Sequence, residues 1–479
     1  MDLGKGGCNY PAMAEPRPAD TAKHYLALWQ RNLQAWAAEP SMVPPALPGL
    51  SRPQEGTAPG PVAAAPAVLA LTGDQAEPAG EARPGPRPLP AHLGLMSMAT
   101  VAGVSALPLM AAGSPLWHPS VADEDIAVEA LDTPAIEAMG ALALEQLGQA
   151  LEGVEKYRAH PYRRALADPP TIWSEGTTRL MDYGAVAGAA AGGLPLLVIP
   201  SLVNPAYILD LREGASLLRY LAEAGFRPFL VDWQAPGPEE RGFDLDCYII
   251  HRLEPALDAV RALAGPPVVM GYCMGGTLAM ALASRRAPDI RGFVALATPW
   301  DFSVDCPPPF RMAALATGGM AALRLEAQAV PLDMLQLMFA GLDPVLGLAK
   351  FRRFAGMDQG SPAAVSFVAL EDWANDGMPL AGPVAVQAAV DWYRDNRPME
   401  GTWMTGGEPV DPGNLAGPAL VVVPGQDRLV PPGSARPLAD QIKAADILQP
   451  KAGHVGMIVG SRARTELYEP LAAWLARLA

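Results

Sequence analysis

The sequence is poor in several residue types, and each shortage argues against a class of protein. Only four cysteines occur among 479 residues, Cys8, Cys247, Cys273 and Cys306, so we predict no disulfide framework and a reducing compartment such as the cytoplasm. Basic residues number 35 against 50 acidic ones, and the net charge of −15 disfavours non-specific binding to nucleic acid. There is no Walker A motif, no strand-borne Gly-x-Gly-x-x-Gly and no run of His and Cys at metal-ligand spacing, so we predict no dinucleotide or metal site.

Signals for export or membrane insertion are weak. The first residues lack an apolar signal-peptide core, so secretion is not indicated. The stretch from Leu93 to Trp117 has no charged residue and is as long as the roughly 20 apolar residues that a membrane span needs. Because it contains Pro108 and Pro115 with several Gly and Ser residues, we expect a buried or surface-docked segment and no transmembrane span.

The N-terminal part of the chain divides into three predicted regions. Residues 21–38, within a first region 1–38, have apolar side chains at helical spacing, which predicts an amphipathic helix. An apolar stripe of this kind usually docks on its own domain, although a partner or an apolar particle is the alternative. Residues 39–90 are dense in Pro, Ala and Gly without periodicity and predict a disordered linker, whereas 91–170 predict a helical N-terminal region.

The rest of the chain alternates strands with helices. Two β-rich runs, 171–176 and 178–183, predict a hairpin. Further predicted strands, separated by helical patterns or loops, are 194–199, 226–231, 268–270, 292–297, 419–423 and 446–448. This alternation implies an α/β fold with a mostly parallel sheet covered on both faces. We place its core at 171–302 and 406–479, with a helical cap inserted at 303–405.

A nucleophile is predicted where the 268–270 strand ends. Residues 267–277 read Pro-Val-Val-Met-Gly-Tyr-Cys-Met-Gly-Gly-Thr and lead into an Ala/Leu-rich helical pattern, which is the strand–turn–helix context of a nucleophile elbow. Gly271 and Gly275 flank the tight turn. Cys273 is expected at its strained tip, at a helix N-terminus that stabilises a thiolate. The alternative is a buried structural cysteine.

A cysteine nucleophile needs a base and an orienting acid. Of the six histidines, only His454 lies in a Gly-His-Val-Gly loop directly after a late strand, where active-site loops of open α/β sheets occur. Asp427 lies between nucleophile and histidine, in the chain order that this fold uses. Three alternatives stay open: Asp427 as a turn residue, His454 as a helix cap, and Asp301 as the acid, although its setting is more typical of a helix N-cap.

Backbone amides are expected to form the oxyanion hole. One donor should be Met274, the residue after the nucleophile, and the second should come from the loop after the 194–199 strand, where we favour Val203.

The cap region is rich in methionine. Its long apolar side chains include Met312, Met320, Met334, Met338, Phe339 and Met357. Such a surface adapts to a flexible hydrophobic chain, so we expect the cap to cover Cys273 and to line an apolar tunnel. The alternative is that these residues only pack the cap's own core.

Several segments together resemble the polyhydroxyalkanoate synthases, a family of the α/β-hydrolase superfamily. They lie between about Gly153 and Ala479 and read Asn204-Pro-Ala-Tyr-Ile-Leu-Asp-Leu, Gly271-Tyr-Cys-Met-Gly-Gly-Thr, the run from Met399 to Asp411 with the strand and loop that follow, and Gly453-His-Val-Gly. The resemblance implies an α/β-hydrolase fold and an acyltransferase that moves 3-hydroxyacyl groups from CoA to a growing polyester. Cys273 would carry the chain as a thioester and His454 would deprotonate the thiol. Asp427 would orient His454 or help to activate the incoming hydroxyl group.

The same resemblance implies 3-hydroxyacyl-CoA as the substrate with no separate cofactor, and it suggests a polyester granule surface and a second copy of the chain as partners. Two positions depart from the family pattern: Arg428 follows the acid where the family has His, and Gly460-Ser-Arg replaces Asn-Pro-Pro. A hydrolase of the same fold, either an intracellular polyester depolymerase or an acyl thioesterase, therefore remains an alternative, as does an inactive granule-associated protein.

Overall fold

A mixed eight-stranded sheet lies at the centre of the computed structural model, which describes residues 17–38, 83–111, 117–122, 133–186, 188–189, 192–304, 308–323 and 329–479. The strands are β1 (Thr171–Glu175), β2 (Thr178–Asp182), β3 (Leu194–Ile199), β4 (Asp210–Arg212), β5 (Ala215–Ser216), β6 (Phe226–Asp232), β7 (Val268–Tyr272), β8 (Gly292–Leu296), β9 (Ala329–Val330), β10 (Leu380–Ala381), β11 (Met404–Thr405), β12 (Glu408–Pro409), β13 (Ala419–Val422) and β14 (Ala445–Leu448).

The strand order in the sheet is β1-β2-β6-β3-β7-β8-β13-β14. The hairpin β1–β2 and the pair β2–β6 are antiparallel, and every other neighbouring pair in this sheet is parallel. Every residue of β3, β7, β8 and β13 is buried, as expected for central strands covered by helices on both faces. The predicted strands and the mostly parallel sheet are thus confirmed.

Helices precede the sheet, cover it and form the inserted cap. In the N-terminal region they are α1 (Pro18–Ala38), α2 (Leu89–Met98), α3 (Val101–Ala111), α4 (Pro119–Ala122) and α5 (Thr133–Ala159). Within the core and cap they are α6 (Leu217–Glu223), α7 (Leu245–Tyr248), α8 (Glu254–Ala264), α9 (Met274–Arg285), α10 (Pro308–Leu323), α11 (Leu332–Ala340), α12 (Leu346–Ala355), α13 (Pro362–Asn375), α14 (Gly382–Gln387), α15 (Arg397–Glu400), α16 (Pro432–Gln441), α17 (Gly456–Val459) and α18 (Glu469–Leu475).

The apolar stripe of α1 packs inside its own chain. Tyr25, Leu26 and Trp29 are buried together with residues of α3 and α5. The Tyr25 hydroxyl donates a 2.8 Å hydrogen bond to the carbonyl of Gly103, and Trp29 Nε1 donates one of 2.9 Å to the carbonyl of Met98. Of the two roles considered for this helix, docking on its own domain is therefore the observed one.

The uncharged stretch forms α2 and α3. By length and composition, the helical segment Leu89–Leu107 is long and apolar enough to cross a membrane, and 22% of that segment is buried inside the protein. Met96 and Leu107 are among its buried side chains, packed against neighbouring helices. Residues 112–116 of the stretch lie outside the described residues.

The predicted linker 39–90 includes residues at its C-terminal end, 83–90, that belong to the folded part of the chain. Arg83 is buried, and its Nε donates a 2.5 Å hydrogen bond to Asp372, while Arg87 pairs with Asp333 at 3.0 Å. A buried guanidinium must find acceptors, and these contacts attach the segment to the cap. Helix α2 then begins at Leu89, before the predicted boundary. The rest of the predicted linker, 39–82, lies outside the described residues.

Helices α10–α15 fall in the segment predicted as the cap, and they also contact the N-terminal helices. Phe351 and Phe354 of α12 are buried with Val154 and Tyr157 of α5. At Gly153 of α5, a Cβ atom would overlap the backbone of Phe351, so the two helices approach closely because this residue is glycine. The cap is therefore held between the N-terminal helices and the sheet, and the predicted domain boundaries otherwise stay predictions.

Candidate active site

The turn between β7 and α9 holds Cys273 at its tip. Cys273 has φ 56° and ψ −131°, a backbone conformation that residues other than glycine rarely adopt, and helix α9 begins at the next residue. A Cβ atom on Gly271 would overlap Gly276, and one on Gly275 would overlap the carbonyl groups of Ile199 and Pro200. The turn therefore has the strained tip and the glycine-dependent close approach that the sequence motif indicates.

Asp427 and His454 meet beside this turn although they follow different strands. Asp427 comes after β13, His454 comes after β14, and Nδ1 of His454 lies 2.7 Å from Oδ2 of Asp427. The other carboxylate oxygen of Asp427 accepts hydrogen bonds of 2.9 Å from the backbone amides of Leu429 and Val430. Asp427 is thus both a turn residue, as one alternative held, and the partner of the histidine. Both side chains are buried.

The imidazole of His454 lies between the side chains of Cys273 and Asp427. Burial of the ring opposes its protonation, but the charges of Cys273 and Asp427 and its hydrogen bonds to both side chains raise the pKa of His454 to about 10. The ring also stacks on Tyr272, with centroids 5.1 Å apart and planes at 29°. Cys273, His454 and Asp427 therefore form a connected series whose central ring is held on three sides.

The two predicted oxyanion donors lie at the same cavity. Met274 is the first residue of α9, where backbone N–H groups have no acceptor within the helix. Val203 differs, because its N–H donates a 3.2 Å hydrogen bond to Oγ of Ser201. Met274 and Val203 both line the cavity that contains Cys273. Val203 could act as a donor to substrate only if the Ser201 hydroxyl released its N–H, so its assignment stays a prediction.

The cavity around Cys273 and His454 has a volume of about 180 Å³ and mostly apolar walls. Its floor is the carboxyl edge of the sheet and its roof is the cap. Cap residues in the wall include Leu335, Met338, Phe339, Trp373, Leu380, Trp392 and Tyr393. Cys273 is half-buried beneath them. The expectation that the cap covers Cys273 with apolar side chains agrees with this arrangement.

The methionines named in the sequence divide between the two expected roles. Met338 lines the cavity, and Met320 and Met334 line an adjoining groove. Met357 packs instead with the aromatic residues of α12 and α13, whereas Met312 is 64% exposed. Some of the named methionines therefore line the cavity or the groove, whereas Met357 packs within the core of the cap.

The competing acid, Asp301, has other partners. Its Oδ1 accepts hydrogen bonds from the Ser303 backbone amide at 2.9 Å, the Ser303 hydroxyl at 2.7 Å and Asn396 Nδ2 at 2.9 Å. These contacts brace the start of the segment that leads into the cap. The residue hydrogen-bonded to His454 is Asp427, so the geometry favours Asp427 over Asp301 as the orienting acid.

Arg428, which departs from the family pattern, joins the core to the cap. Its Nη1 lies 2.8 Å from Oδ2 of Asp343, which stands between α11 and α12. Asp343 also accepts a 3.1 Å hydrogen bond from Gln34 of α1. The residue next to the acid thus contacts the roof of the cavity and lies outside the Asp427–His454 pair.

Sequence reasoning missed several residues of the site. Tyr272 could have been noticed as the neighbour of the nucleophile, but nothing in the sequence indicates that its ring stacks on His454. Ser201 and Asp343 had no signal of their own. The cap aromatics Trp373, Trp392 and Tyr393 lie in the segment predicted as a cap, where helical spacing indicates burial but not the cavity that is lined. Cys8 and Cys306 lie outside the described residues.

Comparisons with known proteins agree with this geometry. A family model described as alpha/beta hydrolase fold matches residues 195–461. Curated relatives are named poly(3-hydroxyalkanoate) polymerase subunit PhaC. The protein from Haloarcula marismortui is 29% identical over 63% of this chain, and that from Allochromatium vinosum is 27% identical over 69%. A third, from Haloferax mediterranei, is 28% identical over 64% of this chain.

The length covered differs among these relatives. The matched part is 94% of the Allochromatium protein, but only 66% of the Haloarcula protein and 63% of the Haloferax protein, which is less than two thirds of either.

Proposed function

We propose that this chain, which belongs to the α/β-hydrolase fold family and is related to the poly(3-hydroxyalkanoate) polymerases, is an acyltransferase that builds a polyester from 3-hydroxyacyl-CoA. One observation carries the proposal: Cys273, rather than serine, stands at the elbow beside the His454–Asp427 pair, inside an apolar cavity roofed by the cap. A thiolate suits transfer between thioesters, because it is both a good nucleophile and a good leaving group.

In the first step, the thiol proton of Cys273 passes to His454, and Sγ attacks the thioester carbonyl carbon of the substrate as a thiolate. The bond between that carbon and the CoA sulfur breaks, and His454 returns the proton to the departing thiolate. CoA leaves as a free thiol and the hydroxyacyl group remains on Cys273. The Met274 backbone N–H at the start of α9 is placed to stabilise the tetrahedral oxyanion.

In the second step, the hydroxyl oxygen of another 3-hydroxyacyl-CoA attacks the Cys273 thioester. Its proton passes to His454 and then to the cysteine sulfur as the carbon–sulfur bond breaks. A new ester is formed, and its CoA thioester can acylate Cys273 again with a chain that is one unit longer. Asp427 holds the His454 ring through the 2.7 Å contact at Nδ1 and leaves Nε2 to exchange protons.

Exclusion of water supports transfer over hydrolysis. A thioester at Cys273 persists long enough to meet an alcohol only if bulk water is kept away, and the roof of aromatic and aliphatic cap residues serves that need. A thioesterase would benefit from a more open site. We also propose that the reaction uses no cofactor besides the CoA of its substrate, and that the protein acts in the cytoplasm, associated with polyester granules. A homodimer stays a prediction.

The test is to incubate the purified 479-residue chain with 3-hydroxybutyryl-CoA and to follow both CoA release and the fate of the acyl group. The proposal expects polymer as the main product and a covalent acyl group on Cys273 in quenched samples analysed by mass spectrometry. CoA release with free 3-hydroxybutyrate as the product would instead identify a thioesterase. No CoA release from a folded protein would favour the inactive granule-associated alternative.

A further inference from the structure

The catalytic cavity is too small for the product that we propose. Its volume is about 180 Å³. A polyester chain of many units cannot be held in such a space. Because Cys273 is acylated again with the whole lengthened chain after each addition, the older part of the chain must leave the cavity by a defined route.

A groove between α10 and α11 lies next to the cavity. It has a volume of about 340 Å³ and shares two wall residues with the cavity, Thr317 of α10 and Met338 of α11. On its outer side the groove reaches the protein surface, where Ala316 is exposed, Met320 is 39% exposed and Leu337 is 50% exposed. The groove thus lies between solvent and the part of the cavity wall that Thr317 and Met338 form.

The walls of the groove select for one kind of ligand. All the residues that line it are uncharged, and Thr317 is the single one with a polar side chain. CoA carries several phosphate charges, for which this wall offers no cation. A polyester of 3-hydroxyacyl units presents alkyl groups and ester oxygens but no charge, which matches an apolar wall containing three methionines.

Met338 is suited to act as the movable part of the wall. Its unbranched side chain has three rotatable bonds, so it can change rotamer without disturbing the backbone of α11. Apolar side chains exposed along a groove carry a hydration cost that an apolar occupant would remove.

From these observations we propose that the α10–α11 groove is the exit path of the growing polyester chain. The chain would pass from Cys273 between Thr317 and Met338 and reach solvent beside Ala316 and Leu337. This inference rests on the proposed polymerase function and adds to it the route of the product.

Filling the groove tests the proposal. Ala316→Trp places a large side chain in the groove from an exposed position of α10 that does not line the catalytic cavity. Its matched control is Ala322→Trp, the same change at an exposed position of the same helix outside the groove. Each variant is given 3-hydroxybutyryl-CoA, and CoA released in the first turnover and polymer mass are measured separately.

We expect Ala316→Trp to keep first-turnover CoA release within about twofold of wild type and to lower polymer mass at least about tenfold. The control should make polymer of wild-type mass. A second pair of variants keeps the test valid if Ala316→Trp misfolds. Leu337→Lys puts a charge at the outer end of the groove. Its control, Leu346→Lys, puts the same charge at a residue of α12 that is 53% exposed. Leu337→Lys should also shorten the polymer, and Leu346→Lys should not.

The outcomes separate the two proposals. If wild type makes polymer and the groove variants make polymer of the same mass, the exit path is wrong and the polymerase function stands. The exit path is equally wrong if the controls shorten the polymer as much as the groove variants do. If wild type releases CoA but yields only free acid, the polymerase function fails and the exit path falls with it.

Discussion

The floor and the roof of the catalytic cavity are built in different ways. Cys273, Asp427 and His454 follow the ends of parallel strands, where the backbone hydrogen bonds of the sheet fix their positions. The roof consists of cap helices that meet the floor through apolar contacts and a few side-chain pairs such as Arg428–Asp343. The reactive groups therefore stand on the rigid element, whereas the surface proposed for the acyl chain is made of adaptable side chains.

Loss of the nucleophile should have the largest effect. Cys273→Ala removes the atom that forms the thioester, so we expect CoA release to fall by roughly 10⁶-fold. Cys247→Ala is the matched control, since this second free thiol is half-buried and lies outside the cavity wall. The Cys247→Ala protein should release CoA at a rate within about twofold of wild type. Substantial CoA release by the Cys273→Ala protein would show that the nucleophile lies elsewhere.

Loss of the orienting acid should lower turnover less than loss of the nucleophile does. Asp427→Asn keeps the size of the side chain but removes the charge beside His454, and in a hydrolytic triad such a change costs roughly 10⁴ in turnover. The three residues should also act as one unit, so that Cys273→Ala combined with His454→Ala is about as inactive as Cys273→Ala alone. If the double variant instead lost the summed activation free energy of the two single variants, the three residues would not act as one unit.

The same glycine substitution should have opposite effects on the floor and the roof. Gly275→Ala forces a Cβ atom against the carbonyls of Ile199 and Pro200, so we expect a loss of about 3 kcal/mol or more of stability. Gly319→Ala in α10 meets nothing within 4 Å and should stabilise by about 0.5 to 1 kcal/mol. Urea unfolding measures both. Equal effects would mean that the elbow is no more tightly packed than the cap.

Stability should depend on pH through His454. Its folded-state pKa is raised to about 10, above the usual value near 6.5. The stabilisation from the protonated ring is therefore fully present below about pH 6.5 and is lost as the pH rises through about 10. The difference in thermal midpoint between wild type and His454→Gln should shrink between about pH 6 and pH 10. His251→Gln, at an exposed histidine, should follow the wild type. A difference that grows with pH would contradict the raised pKa.

The contact between floor and roof should have the smallest effect. Arg428 is 73% exposed, so Arg428→Gln should cost less than about 1 kcal/mol of stability. Without the pair to Asp343 the cap should open more often, and the share of free acid among the products should rise modestly. Arg353→Gln, at an exposed arginine of α12, is the control for loss of a positive charge. An unchanged product ratio would show that the pair does not hold the roof closed.

The sequence alone determined the sheet and the chemistry of its edge. Continuous apolar runs are typical of central parallel strands, which are buried on both faces, so β3, β7, β8 and β13 could be predicted from local pattern. Cys273 could be predicted as the nucleophile because a nucleophile elbow needs closely spaced glycines. His454 and Asp427 could be predicted because each lies in the loop after a strand, and the chain order in this fold restricts which residues can be the base and the acid. Apart from that chain order, each of these signals lies within a few neighbouring residues.

The tertiary structure alone decided which surfaces meet. The sequence left open whether α1 docks inside the chain, and the packing of Tyr25 and Trp29 against α3 settled it. The contact of Arg83 with Asp372 joins residues almost 300 positions apart, and the groove beside Thr317 depends on how α10 lies on α11. Local patterns report that a side chain is apolar, but its partner depends on chain topology, because most apolar surfaces can pack against one another.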